Sequence, residues 1–105
     1  MADFVLVYSG GSVPETEEAQ AKVMQAWTDW YANLGPAIKD GGNPFSPVAK
    51  TVSSDGSISD VSGTVLTGYT ILTADSIDRA TELAKGCPVL DDGGQVHVYE
   101  TFEVR

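Results

Sequence analysis

The chain has 105 residues, 42% of them hydrophobic, and its 15 acidic and 6 basic side chains give a formal net charge of −9. This length predicts one compact domain, residues 1–105, and the hydrophobic share is too high for an intrinsically disordered chain. Nucleic-acid binders and proteins that attach to anionic membranes need basic clusters, and the sequence has none. Neither partner is therefore expected.

The longest uninterrupted apolar run is only a few residues, which predicts no transmembrane helix and no secretory signal. The single cysteine, Cys87, excludes an intramolecular disulfide. Without an export signal, the expected location is the cytoplasm.

The first elements along the chain are a strand and a long helix. Residues 3–9, "DFVLVYS", form a near-continuous apolar run that predicts a central strand. Ser12 and Glu15 fit a capping box for a helix that runs to about Leu34, before Gly35-Pro36. The apolar positions of this helix recur at three- and four-residue steps: Val23, Met24, Trp27, Trp30, Tyr31 and Leu34. The stripe is wide enough for one tryptophan to reach a ligand. Trp30 is our candidate, although the pattern does not separate it from Trp27.

The middle of the chain predicts two further strands. Residues 46–53 alternate loosely between apolar and polar side chains, with Pro47 near the start or on an edge. The polar, turn-rich residues 54–63 predict the loop of a hairpin that leads into a strand over residues 65–73.

A second helix and a last strand complete the chain. The helix is expected within 74–88, capped by Asp75 or Ser76, and Pro88 prevents its continuation. Its core-facing positions are Ile77, Ala80, Leu83 and Ala84. Residues 95–104 alternate cleanly and predict the final strand.

The order β-α-β-β-α-β predicts an α+β, ferredoxin-like fold, in which a four-stranded antiparallel sheet carries both helices on one face. The apolar set of the last strand is expected to face the helices: Val96, Val98, Phe102 and Val104. His97 and Tyr99 then face away. Because the first and third strands carry apolar residues on both faces, we expect a second copy to cover the other face in a homodimer.

Few residues are candidates for chemistry. His97 is the only side chain whose ordinary pKa lies near neutrality, so it is the candidate general acid or base; the alternative is a histidine that packs and hydrogen-bonds. Cys87 follows a helix C-terminus, where a thiolate is disfavoured, and is expected to be packed. The ligand spacings of zinc and calcium sites and a phosphate-binding glycine motif are missing, so no metal and no cofactor are predicted.

Residues 40–48, "DGGNPFSPV", predict a turn between the first helix and the next strand. We expect this turn also to border a cleft, with Asn43 and Phe45 contacting a ligand. Exposed glycine amides of the segment are candidates for binding a carboxylate.

Four segments resemble the YCII-related (DGPF) family: "GGNPF", "DGS", "TGYTILTADSIDRATELAKGCPVL" and "GGQVHVYE". The resemblance extends over nearly the whole chain and is most specific from Gly68 to Pro88. It implies a ferredoxin-like fold that dimerises as an α/β barrel with a cleft between sheet and helices. It also implies relatives that are small cleft enzymes with a His–Asp pair, akin to muconolactone isomerase, or that accompany sigma factors. The family's histidine lies on the first helix, where this chain has none, and "DGSISD" replaces "DGPF", so the resemblance assigns no role to His97.

Three functions compete on this evidence. The leading one is a homodimeric domain that binds a small organic molecule in an aromatic cleft. The ligand-binding candidates are Asn43, Phe45, Tyr69, Tyr99 and Trp30. The second is an isomerase- or lyase-like enzyme for a small organic acid or lactone that uses His97 as general acid or base. The third is an interaction module for a transcription regulator.

Overall fold

The structure, a computed structural model, describes residues 1–11 and 14–104. Its elements are β1 (Ala2–Ser9), α1 (Glu17–Leu34), β2 (Ile38–Asp40), β3 (Thr51–Val52), β4 (Ile58–Ser59), β5 (Leu66–Ala74), α2 (Ile77–Ala84) and β6 (Gln95–Glu100). Short 3-10 turns occupy Gly35–Ala37 and Pro88–Asp92.

The main sheet has four strands in the order β2-β5-β1-β6, and all of its pairs are antiparallel. This is the ferredoxin-like arrangement, so the predicted fold class is confirmed at this level. Both helices pack on one face of the sheet, where Trp30 and Leu34 of α1 and Ala84 of α2 share a core cluster with Leu6 and Leu72.

Burial alternates along the central strands. Phe4, Leu6 and Tyr8 of β1 are buried beneath the helices, whereas Val5 and Val7 on the opposite side are only half-buried. The pairing register carries the same division into the neighbouring strands, since residues directly opposite each other share a face. The helix-covered face therefore continues through Gly68, Thr70 and Leu72 of β5 and through Val96 and Val98 of β6.

Side-chain caps fix the starts of both helices. The Thr16 hydroxyl accepts a hydrogen bond from the Ala19 amide, so α1 begins at Glu17, and the predicted cap Ser12 lies outside the described residues. The Ser76 hydroxyl accepts from the Arg79 amide, which confirms one of the two predicted caps of α2. Ile77, expected in the core, is instead exposed at the first position of α2.

The predicted second strand, residues 46–53, is wrong. The 3-10 turn after α1 brings Ile38 directly beside Leu72, so Ile38–Asp40 is the strand that joins the sheet. The later segment leaves the sheet, and Thr51–Val52 pairs only with Ile58–Ser59, in a separate two-stranded hairpin. We call residues 46–65 the arm, and all of them are exposed. A strand of the main sheet is specified by one buried face, and the loosely alternating residues 46–53 have no such face.

The last strand is shorter than predicted. Phe4 pairs with Glu100, and the Thr101 amide still donates to the Asp3 carbonyl, but β1 begins at Ala2 and offers little backbone beyond this point. Phe102 and Val104, expected to face the helices, are 83% and 85% exposed.

The molecule is a thin slab with extents of 44 × 41 × 18 Å. One layer is the sheet and the other is formed by the helices, and no described residue forms a third layer on the far side, which we call the open face. The described part of the chain has no helix that is long and apolar enough to span a bilayer.

Candidate functional site

A cleft of about 410 Å³ lies between α1 and the beginning of β5. Its lining comes from β1, from one side of α1, from the segment after β2 and from β5: Tyr8, Met24, Trp27, Thr28, Tyr31, Asn43, Pro44 and Tyr69. The rings of Tyr8, Trp27 and Tyr31 lie on the helix side, so the cleft offers mainly flat, apolar surface to a ligand. Tyr69 pairs with Val7 of the open face and borders the cleft from the edge of β5.

Trp27 is the centre of the aromatic wall. Its ring meets Tyr8 nearly edge-on, with centroids 5.3 Å apart and an interplanar angle of 70°, and lies 5.8 Å from the ring of Tyr31. Met24, Trp27 and Tyr31 are spaced by three and four residues, so α1 presents them along one side. The edge-on contact with Tyr8 fixes the orientation of the indole ring.

The opposite wall is formed by the first part of "DGGNPFSPV", from Asp40 to Phe45. The Asp40 carboxylate accepts a hydrogen bond of 2.8 Å from the Gly42 amide. Gly42 has φ +72°, and a Cβ at this position would collide with the carbonyl oxygen of Tyr69. The Asn43 carbonyl accepts from the Tyr69 amide, and the Phe45 amide donates to Thr67. The segment is thus an irregular continuation of the sheet edge, and Asn43 and Pro44 border the cleft, whereas contact of the segment with a ligand stays a prediction.

The hydroxyl groups of Tyr8 and Tyr31 already form hydrogen bonds within the protein. Tyr31 donates to the Gly41 carbonyl at 3.1 Å. Tyr8 donates to the Thr70 hydroxyl, which donates to the same carbonyl at 3.1 Å. Burial raises the pKa of Tyr8 well above its ordinary value, so this phenol stays protonated.

Asn43 contributes a free polar group to the helix side of the cleft, since the Tyr69 hydroxyl, also without a hydrogen bond within the described chain, belongs to a residue paired with Val7 of the open face. Within the described chain the Asn43 side-chain amide forms no hydrogen bond, and it is exposed at the rim. None of the described lining residues carries a formal charge. The site therefore has one amide that can donate and accept, against walls of aromatic carbon.

Two of the predicted ligand-binding residues, Asn43 and Tyr69, line this cleft. Phe45 stacks on Tyr69, with centroids 5.9 Å apart, but lines a second cavity of about 430 Å³ at the base of the arm. Asp60, the charged residue of that cavity, is paired with Lys50.

The structure places Trp30 away from the cleft. It is buried in the core, and its indole nitrogen donates to the Leu83 carbonyl at 3.1 Å. Trp27 lines the cleft instead. The sequence held a signal for this distinction, because Trp30 is one turn before the buried Leu34 whereas Trp27 is one turn before Tyr31.

His97 and Tyr99 lie on the open face, opposite Val7 and Val5 of β1, and not in the cleft. The Ser9 hydroxyl is 2.8 Å from Nε2 of His97. Sequence reasoning missed Ser9, although strand parity puts it on the same face as Val7. A serine beside a histidine is the arrangement of an activated nucleophile, but Ser9 is only 3% exposed and offers little access to a substrate.

Over residues 1–11 and 14–104, no three histidine, cysteine, aspartate or glutamate side chains converge on a possible metal position. Cys87 is buried, and this burial raises the pKa of its thiol to about 11. A protonated, packed thiol is a poor nucleophile, which agrees with its predicted packing role.

No family model matches the chain, and no curated protein matches it. Among solved structures, the chain is similar to 5-chloro-2-hydroxyhydroquinone dehydrochlorinase (TftG) from Burkholderia phenoliruptrix AC1100, in a complex with 2,5-dihydroxybenzoquinone. The TM-score is 0.54 and the identity 19%, over 95% of this chain and 93% of the other. At this identity the likeness supports the ferredoxin-like fold alone, and membership of the YCII-related family stays a prediction.

Proposed function

We propose that the protein is a small-molecule-binding domain whose cleft takes an uncharged, planar aromatic compound with hydroxyl or carbonyl substituents. The observation that carries this proposal is the composition of the cleft. Rings of Tyr8, Trp27 and Tyr31 form one wall, the Asn43 amide lies at the rim, and the described lining has no charge.

The choice of an uncharged ligand follows from the cost of desolvation. A carboxylate that enters an apolar cleft loses hydration, and a nearby cation must compensate for that loss. The described lining has no lysine or arginine. The Gly42 amide, one of the predicted carboxylate-binding groups, already donates to Asp40. A phenolic hydroxyl or a ring carbonyl needs only the Asn43 amide.

The structural neighbour supports a flat, oxygen-substituted ring as the ligand but not the absence of charge, because the hydroxyls of its quinone are vinylogous acids that ionise at neutral pH. That protein is described as bound to 2,5-dihydroxybenzoquinone, a flat ring with hydroxyl and carbonyl groups. For this chain the likeness suggests only that such rings should be tested, and hydroquinone is the probe.

Calorimetric titration of the full chain with hydroquinone tests the proposal. Trp27→Leu and Asn43→Ala should each weaken binding about tenfold, because one removes an aromatic contact and the other the hydrogen-bonding group. Phe45→Ala should have a smaller effect through loss of its stacking on Tyr69. Asn33→Ala, an exposed position of α1 outside the cleft, is the matched control and should bind like the wild type.

Two outcomes contradict the proposal. If Trp27→Leu and Asn43→Ala bind hydroquinone as tightly as Asn33→Ala, the cleft is not the site. If 2,5-dihydroxybenzoate binds more tightly than hydroquinone, the uncharged ligand class is wrong, since this compound adds only a carboxylate to the same ring.

We further propose that the protein is a homodimeric member of the YCII-related family and forms an α/β barrel. The support is the open face, whose half-buried side chains include Val5, Val7 and Ile71 beside the exposed Tyr99. Apolar side chains on a sheet face in contact with water are unusual, and a second copy with the same face would cover them.

A second candidate function is the enzyme with His97 as general acid or base, favoured by the 2.8 Å contact between Ser9 and His97. The pair is on the opposite face of the sheet from the Tyr8 ring, so a substrate for it would bind against the open face. Loss of a bell-shaped pH–rate profile in His97→Ala would support the enzyme, and unchanged turnover would reject it.

A third candidate, an interaction module for a transcription regulator, needs an apolar patch that stays exposed after dimerisation. Recovery of only the protein itself in a pull-down counts against it.

A further inference from the structure

The arm is an amphipathic hairpin whose apolar side has no cover. Val52 lies directly opposite Ile58, and Thr51 lies opposite Ser59. Because successive side chains of a strand point to opposite faces, one side of the hairpin is apolar and the other is polar. Val52 and Ile58 are 68% and 70% exposed.

The hairpin holds its shape through contacts of its own. At its tip the Asp55 carboxylate accepts from the Ser57 amide, and the Ser53 amide donates to the Ser57 carbonyl at 2.8 Å. At its base Lys50 pairs with Asp60 at 2.5 Å. An isolated two-stranded hairpin is marginally stable in water, so an apolar side presented in this way is expected to pack against another surface.

We propose that the apolar side of each arm packs on a second copy of this chain, against the open face of the partner's sheet and its margin. The proposal rests on the homodimer of the proposed function and adds the element that holds it together. Both apolar surfaces are present on every copy, and within one chain they do not cover each other. A two-fold arrangement would cover both in each protomer.

The area of the open face supports a contribution from the arm. Four strands about 4.8 Å apart and about six residues long at 3.4 Å per residue give a flat patch of roughly 400 Å². Stable dimers bury about 800 Å² on each partner. Side-chain relief raises the accessible area of this patch above its flat area, whereas β2, with only three residues, lowers it, so the sheet alone gives at most about the required area. The exposed arm residues Val48, Val52 and Ile58 supply additional apolar surface.

The test compares two double variants of the full chain by sedimentation velocity over a range of concentrations. Val52→Glu with Ile58→Glu places two charges on the apolar side of the hairpin. Thr51→Glu with Ser59→Glu places the same two charges on the polar side and is the matched control. Both pairs are exposed, so both variants should keep the wild-type far-UV circular dichroism.

We expect the wild type to sediment as a dimer. The Val52→Glu/Ile58→Glu variant should raise the dimer dissociation constant by at least about 100-fold, since its carboxylates would be buried without partners. The control should stay within about threefold of the wild type, because exposed surface charges contribute little.

The remaining outcomes separate the proposals. A wild type that is monomeric at micromolar concentration overturns the homodimer and the role of the arm together. If the wild type is dimeric and the Val52→Glu/Ile58→Glu variant dimerises like the control, only the role of the arm is overturned. In that case Ile71→Glu on the open face should still dissociate the dimer. Hydroquinone titration is independent of these results, so failure of the cleft is distinguishable from failure of the arm.

Discussion

The two faces of the main sheet use the same strands but differ in their environment. On the helix-covered face, Phe4, Leu6 and Leu72 have no exposed surface. On the open face, Val5 and Ile71 are half-buried and Tyr99 is 63% exposed. Residue type explains only part of this difference, because the open face combines apolar residues such as Val5 and Ile71 with polar ones such as Asp3, Thr73 and His97. The helices of one chain cover only one of the two faces, and we propose that a second copy covers the apolar part of the other.

The cleft and the arm are placed at one margin between these faces. The segment from Asp40 to Phe45 follows the edge of β5, contributes Asn43 to the cleft and then leads into the arm. The proposed ligand site and the proposed dimer contact thus begin from one short piece of backbone. Variants that act on one face should leave the other intact if this division is correct.

Leu72→Ala and Ile71→Ala compare the faces at neighbouring residues of β5. Leu72→Ala should lower the free energy of unfolding by about 2–5 kcal/mol, because it leaves a cavity in the helix-covered core. Ile71→Ala should cost about 1 kcal/mol or less in dilute protein, and more as concentration rises and dimer forms. Urea unfolding at several protein concentrations measures both. Equal, concentration-independent losses would show that the open face is not an interface.

Gly42→Ala tests the margin where the chain leaves the sheet. The new Cβ would meet the Tyr69 carbonyl, and φ +72° is unfavourable for alanine, so we expect a loss of about 2–4 kcal/mol and weakened hydroquinone binding. Gly41→Ala is the matched control, since a Cβ there has no neighbour within 4 Å. If the two variants unfold at the same urea concentration, the close approach of Gly42 to the Tyr69 carbonyl does not contribute to stability as described.

The two tryptophans separate core from cleft. Trp30→Phe should lower stability by about 1–3 kcal/mol, because the Leu83 carbonyl loses its indole donor, and should leave hydroquinone affinity unchanged. Trp27→Phe should have the opposite profile, with near-normal stability and weaker binding. Thermal unfolding and calorimetry on the same samples give both values. A binding defect confined to Trp30→Phe would restore Trp30 as the ligand residue and contradict the cleft described above.

The smallest expected effect is a dependence of stability on alkaline pH. Burial raises the pKa of Cys87 to about 11, whereas an unfolded cysteine ionises at about 8.5. The unfolded chain therefore loses this proton first. Stability should be complete below pH 8 and decline as pH rises from about 8.5 towards 11, by at most about 1.4 kcal/mol per pH unit.

Cys87→Ala is the control for this dependence, with unfolding free energies compared between pH 7 and 10. The variant should lose the decline between about pH 8.5 and 10. Above that range Tyr8, whose pKa burial also raises, adds a decline of its own in both proteins. An identical decline in wild type and variant below pH 10 would exclude Cys87 as its source.

Much of the fold was predictable because the signals were strong and local. The apolar run of β1, the stripe of α1 and the cap of α2 gave the correct elements. The prediction of a main-sheet strand over residues 46–53 is wrong because loose alternation also occurs in an exposed hairpin. Periodicity does not show which segment joins the main sheet. The final strand was overextended for a related reason, since its length depends on the start of its partner β1.

The candidate site was predictable only in part. The unusual glycine and proline content of residues 40–48 identified the wall that holds Asn43, and strand position identified Tyr69. The sequence does not single out Tyr8 and Tyr31 or separate Trp27 from Trp30, because the convergence of the cleft residues depends on how α1 crosses the sheet. The contact between Ser9 and His97 joins residues 88 positions apart and depends on strand register.

Native mass spectrometry of the full chain, with and without hydroquinone, tests the central claim most directly. We predict a dimer that gains one hydroquinone on each chain, and a loss of this added mass in Trp27→Leu. A dimer whose mass does not change with hydroquinone would contradict the assignment of the cleft. A monomer that takes up no hydroquinone would contradict both the covered sheet and the aromatic binding site.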